Sequence, residues 1–493
     1  MKSKVKQILT VLLTVCMLAT VTPFNAYAAE IDFSADQSTD VITDTNDNAD
    51  VDISEEENAD VSVDIEEDTE EENPEEEDIE VADTEDPEEE LFSSEEVEEF
   101  SADEAGNVDD CYTITKAELP QINEDFYKIM FIDCGRKYFS VDSLKTIIDN
   151  ASAAGFNYIE LGVGNDGLRL LLDDMSIEVN GKTYESSNVT TAIHEGNISY
   201  NNTLSYNPSK NELTQSEMSA VIAYAKTKNI GVIPLINTPG HMDAILSAAN
   251  SLTRTSCSYG GSERTIDVTN ATAVAFTQAL VQKYLSYFAG QGCKLFNMGA
   301  DEYANDKYTN GSMGFGQLQS EKKYSYYVKY INKMADMIKA SGMVPMAFND
   351  GIYFNSSESS GIVGTDVAVN TDIIVCYWSN GWTGYTPASA SFLNDKGFKL
   401  INTHGSYYWV LGKSNWQCDA STAAGFNYKK FQGGTIENPA GAMFCIWCDY
   451  PGAGSENDVV NNTADTIAAF GKTLPETESV KIETDYHLSL IHI

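Results

Sequence analysis

Lys294-Leu295-Phe296-Asn297-Met298-Gly299-Ala300-Asp301-Glu302 is the stretch from which the rest of the chain can be read. Lys294 to Phe296 reads as the end of a buried strand. Small residues follow, and then two adjacent carboxylates. An Asp-Glu pair on an open loop is ordinary. In a cleft at a strand end, however, two carboxylates raise each other's proton affinity and push their pKa values apart. One can then act as an acid while the other stays ionised.

Outward from that strand, short apolar runs alternate with helical patterns. Lys128–Asp133, Tyr158–Val163, Gly231–Ile236, Cys293–Met298, Val344–Phe348, Ile373–Trp378, Lys399–Asn402 and Ala442–Trp447 read as strands. Ser140–Ala154, Thr214–Lys228, Ala271–Ala289, Ser320–Ser341 and Asn457–Phe470 read as helices. Ser140 stands at a capping position, and Thr214 with Glu217 forms a capping box. Asn165–Leu213 reads as a long loop with a hairpin at Glu178–Tyr184. Eight strands alternating with helices predict an α/β fold, a (β/α)8 TIM barrel over 116–486. In such a barrel the chemistry sits at the C-terminal strand ends. Arg136, Asp166, Asn237, His241, Asp301, Glu302, Asn349, Asp350, Trp378, Tyr408, Trp447 and Asp449 fall there.

The 493-residue chain carries a formal charge of −46, unevenly spread. Residues 30–110 hold 38 of its 76 acids and no Lys or Arg, and three of its 30 bases lie in residues 1–29. The remainder holds 38 acids and 27 bases, so the acidity belongs to one segment. Residues 29–115 read as a disordered acidic low-complexity segment that cannot bury a core. No basic patch is present for a nucleic-acid partner. Lys2, Lys4 and Lys6, the apolar run Ile8–Val21 and Ala26-Tyr27-Ala28 read as a bacterial-type signal peptide over 1–28. The expected destination is the cell exterior or surface, with no membrane span in the mature chain. Eight cysteines remain after that cut. In Cys445-Ile446-Trp447-Cys448 the strand period turns positions three apart to opposite faces, predicting separate buried thiols.

Taken in order, Asp133-Cys134-Gly135-Arg136-Lys137-Tyr138-Phe139, Pro239-Gly240-His241, Gly299-Ala300-Asp301-Glu302 and Trp447-Cys448-Asp449 resemble glycoside hydrolase family 20, the β-N-acetylhexosaminidases. The resemblance runs from about Ile129 to Phe470. Gly164-Asn165-Asp166-Gly167-Leu168-Arg169 and Asp301-Glu302-Tyr303-Ala304-Asn305-Asp306 bring it nearest to secreted bacterial exo-β-N-acetylglucosaminidases and lacto-N-biosidases. Four features depart from the family pattern. Asn297 stands where His is usual, Ala300 where a second Gly is usual, Asn237 where an acid is common, and Asp449 where Glu is frequent.

The resemblance implies a retaining, substrate-assisted reaction, outside the scheme of two catalytic carboxylates. Glu302 would be the general acid and base, with a pKa raised toward the working pH. Asp301 would orient the substrate's acetamido N–H. Tyr408, with Tyr407 as the alternative, would hold the acetamido oxygen. Arg136, Asp166, Asn237, His241 and Asp449 would meet sugar hydroxyls or tune the acid, and Trp378, Trp382 and Trp447 would wall the pocket. No metal-ligand cluster is visible, and the reaction implies no metal or cofactor. The implied partners are glycans ending in β-linked N-acetylhexosamine. Two other expectations stay open: a lacto-N-biosidase releasing Gal-β-1,3-GlcNAc, and a non-catalytic glycan-binding surface protein.

Overall fold

The parallel strands expected from the alternation close on themselves. The computed structural model describes residues 106–122, 126–200, 207–307, 314–355, 367–382 and 384–476. The expected signal peptide and the acidic segment up to residue 105 lie outside the described residues, as does 477–486 of the expected barrel domain.

The barrel strands are β1 Tyr127–Ile132, β2 Tyr158–Asn165, β3 Gly231–Thr238, β4 Leu295–Gly299, β5 Val344–Phe348, β6 Ile374–Tyr377, β7 Leu400–Asn402 and β8 Gly441–Trp447. Each pairs in parallel with the next, and β1 pairs with both β2 and β8, which closes the ring. The first and last strands are held by a register running from Tyr127↔Gly441 to Ile132↔Ile446. Helices α1 Val141–Ala153, α2 Ser186–Tyr200, α3 Gln215–Thr227, α4 Asp243–Thr253, α5 Ala271–Gly290, α6 Tyr324–Ala340, α7 Ala390–Asp395 and α8 Glu456–Gly471 accompany it. Among the described residues no helix is long and apolar enough to cross a membrane.

Alternation along each strand sorts side chains between two cores. Ile129, Phe131, Ile233, Leu235, Leu295, Met346, Phe348, Cys376, Ile401, Met443 and Cys445 fill the inner cluster. Met130, Ile132, Ile159, Leu161, Phe296, Met298 and Phe444 belong to the outer cluster, which includes the buried faces of the helices. Cys445 is inside and Cys448 outside, both buried and free, as the strand period predicted.

Several expectations need correction. Asn165–Leu213 carries the hairpin, Ile177–Val179 against Lys182–Tyr184, but it also holds helix α2. The helix read over Ser320–Ser341 starts later, as α6 from Tyr324; Ser320 ends a separate short helix, Gly314–Ser320, and Lys322 between the two sits at φ +59°. The disordered segment expected to run to residue 115 overlaps residues that the structure shows ordered. Asn107 caps a short helix, Val108–Cys111, and the buried Tyr112 donates its hydroxyl to the Val268 carbonyl at 2.5 Å.

Candidate active site

Bulged ends on β2 and β3 shift register between Gly162 and Gly164 and between Leu235 and Thr238. Such shifts re-aim the residues that follow. Positive φ values continue the pattern at Asp166 (+57°), His241 (+52°), Gly299 (+74°), Ala300 (+67°) and Glu302 (+46°). Non-glycine residues take this region at a cost that only over-determined surroundings sustain, commonly at functional sites. At Gly299 a Cβ would lie 2.0 Å from Asn237 Oδ1, so the turn into the acid pair needs glycine.

From these ends a chain of charges crosses the barrel mouth. The Arg136 fork gives Nε to Asp166 Oδ2 at 2.7 Å, and Nη1 to Asp133 Oδ2 at 3.2 Å and Asp449 Oδ1 at 3.3 Å. Asp166 Oδ1 accepts from His241 Nδ1 at 2.8 Å, and His241 Nε2 reaches Glu302 Oε2 at 3.1 Å and Asp301 Oδ2 at 3.8 Å. Asn305 Nδ2 also donates to Glu302 Oε2, at 2.6 Å. Asn237 uses both ends of its amide. Its Nδ2 donates to Asp301 Oδ1 at 2.7 Å, and its Oδ1 accepts the Ala300 N–H at 3.2 Å.

Charge balance follows from this geometry. Burial opposes a charge on His241, but Asp166, Asp301 and hydrogen bonds to Asp166 and Glu302 outweigh it and raise its pKa to about 10. Burial likewise opposes the charge on Asp166, yet Arg136 and His241 hold that carboxyl well below its ordinary range. Burial and the Glu302 charge raise Asp301. Burial pushes Glu302 up too, but its bond to His241, with the charges of His241, Arg136 and Arg264, brings it below its ordinary value. This reverses the expectation of a raised Glu302. The imidazolium beside it supplies the reason, and the site's proton rests on His241.

A second correction concerns metal. His241, Asp301 and Glu302 bring donor atoms within 4.8 Å of one another, where the sequence suggested no cluster. Asn237 already occupies one Asp301 oxygen, and His241 and Asn305 both contact Glu302 Oε2. The group reads as an acid–imidazolium triad.

Aromatic rings stand around the acids. Trp447 packs against Phe131 at 4.5 Å and Tyr408 at 5.8 Å, and the Arg136 guanidinium lies 5.8 Å from its ring centroid. Trp378 lies 6.2 Å from Trp382, which stacks on Tyr385 at 4.3 Å. Tyr408 belongs to the inner cluster and its hydroxyl meets Thr403 Oγ1 at 3.2 Å. Tyr407 packs against the outer cluster.

Residues 126–439 match the glycosyl hydrolase family 20 catalytic domain. The chain belongs to that family. A solved structure of the tandem family 20 modules of the pneumococcal exo-β-D-N-acetylglucosaminidase StrH is 38% identical, with TM-score 0.64, covering 71% of this chain and 83% of that one. A lacto-N-biosidase of Bifidobacterium bifidum is 27% identical over 263 residues, 50% of this chain and 22% of that protein. β-Hexosaminidase subunit A1 of Dictyostelium discoideum is 21% identical over 318 residues, 62% of this chain and 50% of that protein. The chain thus spans from about a fifth to half the length of these two curated relatives. The barrel is a glycoside hydrolase catalytic domain.

In this family 20 barrel the structure gathers Asp301, Glu302, Tyr408, Arg136, Asp166, Asn237, His241, Trp378, Trp447 and Asp449 at one end. Trp382 joins them through Trp378. Asp449 is shared between Arg136 and Lys413 Nζ, 3.2 Å away. Sequence reasoning gave no role to Asn305, although its place three residues after Glu302 in the quoted Asp-Glu-Tyr-Ala-Asn-Asp run was a signal. It also gave none to Asp350.

Proposed function

We propose that the chain is a retaining exo-β-N-acetylhexosaminidase. It hydrolyses terminal β-linked N-acetylhexosamine from glycans with assistance from the substrate's own acetamido group. The observation that carries this reading is the Asp166–His241–Glu302 chain of hydrogen bonds beside Asp301. Asp301 Oδ1 is taken by Asn237, which leaves Oδ2 to accept the acetamido N–H and to face the positive charge that develops. Tyr408 donates its hydroxyl to the acetamido oxygen.

In the first step the acetamido oxygen bonds to the anomeric carbon, the bond to the leaving oxygen breaks, and Glu302 protonates that oxygen. The proton reaches Glu302 along the 3.1 Å contact from His241 as bound sugar excludes water and favours the neutral carboxyl. In the second step water attacks the anomeric carbon, Glu302 accepts its proton, and the oxazolinium ring reopens. Two inversions leave the configuration retained. Arg136 and Asp449 bind sugar hydroxyls, while Asp166, buried with both oxygens engaged by Arg136 and His241, holds those two in place instead of the hydroxyl contact expected of it; Trp378, Trp382 and Trp447 face the acetamido group and the apolar face of the ring.

The basic, apolar and small-residue order of residues 1–28 supports export to the cell exterior or surface. Likeness to the Bifidobacterium enzyme supports a second reading, release of a disaccharide ending in N-acetylglucosamine. The deciding experiment is release of 4-nitrophenol from its β-glycosides of GlcNAc and lacto-N-biose by the purified chain. Release from GlcNAc alone is expected, and release from lacto-N-biose alone favours the second reading. Silence on both, with binding of an oxazoline mimic, favours a glycan-binding protein.

A further inference from the structure

Asn349 and Asp350 end β5, and both are fully buried. Asn349 acts locally. Its Oδ1 accepts the Trp378 N–H at 2.8 Å, and its Nδ2 donates to the Ser379 carbonyl at 2.8 Å. That pair ties the end of β5 to the end of β6.

Asp350 reaches in two directions. Its Oδ2 accepts the main-chain N–H of Glu302 at 2.7 Å and a short hydrogen bond from the Tyr385 hydroxyl. Its Oδ1 accepts the Trp378 indole N–H at 3.2 Å. Tyr385 in turn exchanges main-chain hydrogen bonds with Trp382, at 2.9 and 2.8 Å, and stacks on its ring. One carboxylate therefore holds the backbone of Glu302 from one side and the Trp378–Tyr385–Trp382 wall from the other.

The arrangement is costly. Burial and the nearby Asp301 charge push the Asp350 carboxyl up to about 7. A structural tie between β5 and β6 would not need it, because Asn349 already supplies one. Glu302 also sits at φ +46°, a conformation that a glutamate keeps only when neighbours fix it.

The geometry points to Asp350 as a positioning residue for the general acid, locking the main chain of Glu302 and the aromatic wall of the acetamido pocket into one unit. This rests on the reading of Glu302 as the acid. Displacement of an acid by about 1 Å costs on the order of 100-fold in rate. The loss falls hardest where the leaving group needs its proton most, which separates positioning from general destabilisation.

The test uses the full chain as wild type, Asp350→Asn, Tyr385→Phe, Glu302→Gln and the Asp350→Asn/Glu302→Gln double variant. Each is assayed on aryl β-N-acetylglucosaminides whose phenols range from 2,4-dinitrophenol to unsubstituted phenol. Asp350→Asn is expected to lose roughly 100-fold on the phenyl glycoside and much less on the dinitrophenyl one. On the dinitrophenyl glycoside it should add nothing further in the Glu302→Gln background, since both changes act through one group. Tyr385→Phe keeps the carboxylate and should show the same slope at smaller amplitude, which covers a failure of Asp350→Asn to fold. Equal losses across the series, or losses that multiply in the double variant, overturn the inference. If Glu302→Gln itself keeps wild-type rates with every phenol, the assignment of the acid fails first.

Discussion

Glu302 sits between opposing pulls. Burial raises its pKa, while His241, at 3.1 Å, lowers it. In the proposed reaction the carboxyl would draw its proton from His241 when sugar enters. Glu302→Gln removes the group that gives and takes the proton and should lower kcat on 4-nitrophenyl β-GlcNAc by about 10²–10⁴-fold. Binding of an oxazoline mimic, measured by calorimetry, should survive. Asp166 is the strongest influence raising His241. Asp166→Asn removes that influence, so His241 loses its proton at lower pH than the wild type, whose imidazolium persists to about 10. The alkaline limb of the normalised kcat/KM profile should move toward acid. An unmoved or alkaline-shifted limb would remove His241 from its place as the store of the proton. The acid pair, Arg136, His241 and the Trp-x-Asp end were all legible in the sequence, because rare residues at strand ends stand out. Asp350 stands at a strand end too, but nothing in the sequence gives it a role. Its partners are the backbone of Glu302 and the side chains of Trp378 and Tyr385, remote in sequence and joined only by the fold.

Strands were legible because each is a short apolar run bounded by turn residues, and their ends shifted by only one or two positions. Three helices, α2, α4 and the short α7, were less so. Met242 at the start of α4 makes no side-chain cap, so the usual signal is missing. In α2 the buried stripe Val189, Ala192, Ile193 and Asn197 has helical spacing, but Gly196 interrupts it. That glycine lets α2 approach α4: a Cβ there would lie 2.5 Å from the Ala244 carbonyl oxygen, a contact invisible locally. Within the barrel, β2 carries Glu160 inward, where Asn297 of β4 donates to Oε1 at 2.9 Å and Oε2 has no partner. Burial raises its pKa from 4.5 to about 8. A raised folded-state value gives stability that is full below the unfolded value and lost as pH rises through the folded one. Melting temperature should therefore decline between pH 4.5 and 8 in the wild type. Glu160→Gln, which cannot ionise, should flatten that decline and be the more stable protein at pH 8, on the order of a few kcal/mol at most. Equal slopes in calorimetric scans across that range would show that Glu160 does not titrate there.

Across the whole chain, the acid-only run at 30–110 reads as unable to build a core and the alternation beyond it reads as a barrel, which the structure closes through β1 and β8. The point of transition was misplaced, because Cys111-Tyr112 is two residues among polar neighbours. Its burial depends on α5 and α6, more than 150 residues away. Tyr112 is 6% exposed, bonds to the Val268 carbonyl, and its ring lies 6.3 Å from that of Tyr326. Gln278 of α5 also donates to the Cys111 carbonyl, at 3.2 Å. Two truncations separate the parts. A chain beginning at residue 106 keeps the Asn107 cap and Tyr112, and should match the full chain in melting temperature and in kcat/KM on an uncharged aryl glycoside. A chain beginning at residue 116 loses a buried tyrosine worth about 1.5–3 kcal/mol and its hydrogen bond. It should melt several degrees lower while keeping its kcat, since no residue before 116 touches the acid pair among the described contacts. Equal melting temperatures for the two truncations would place the edge of the folded unit back at residue 116.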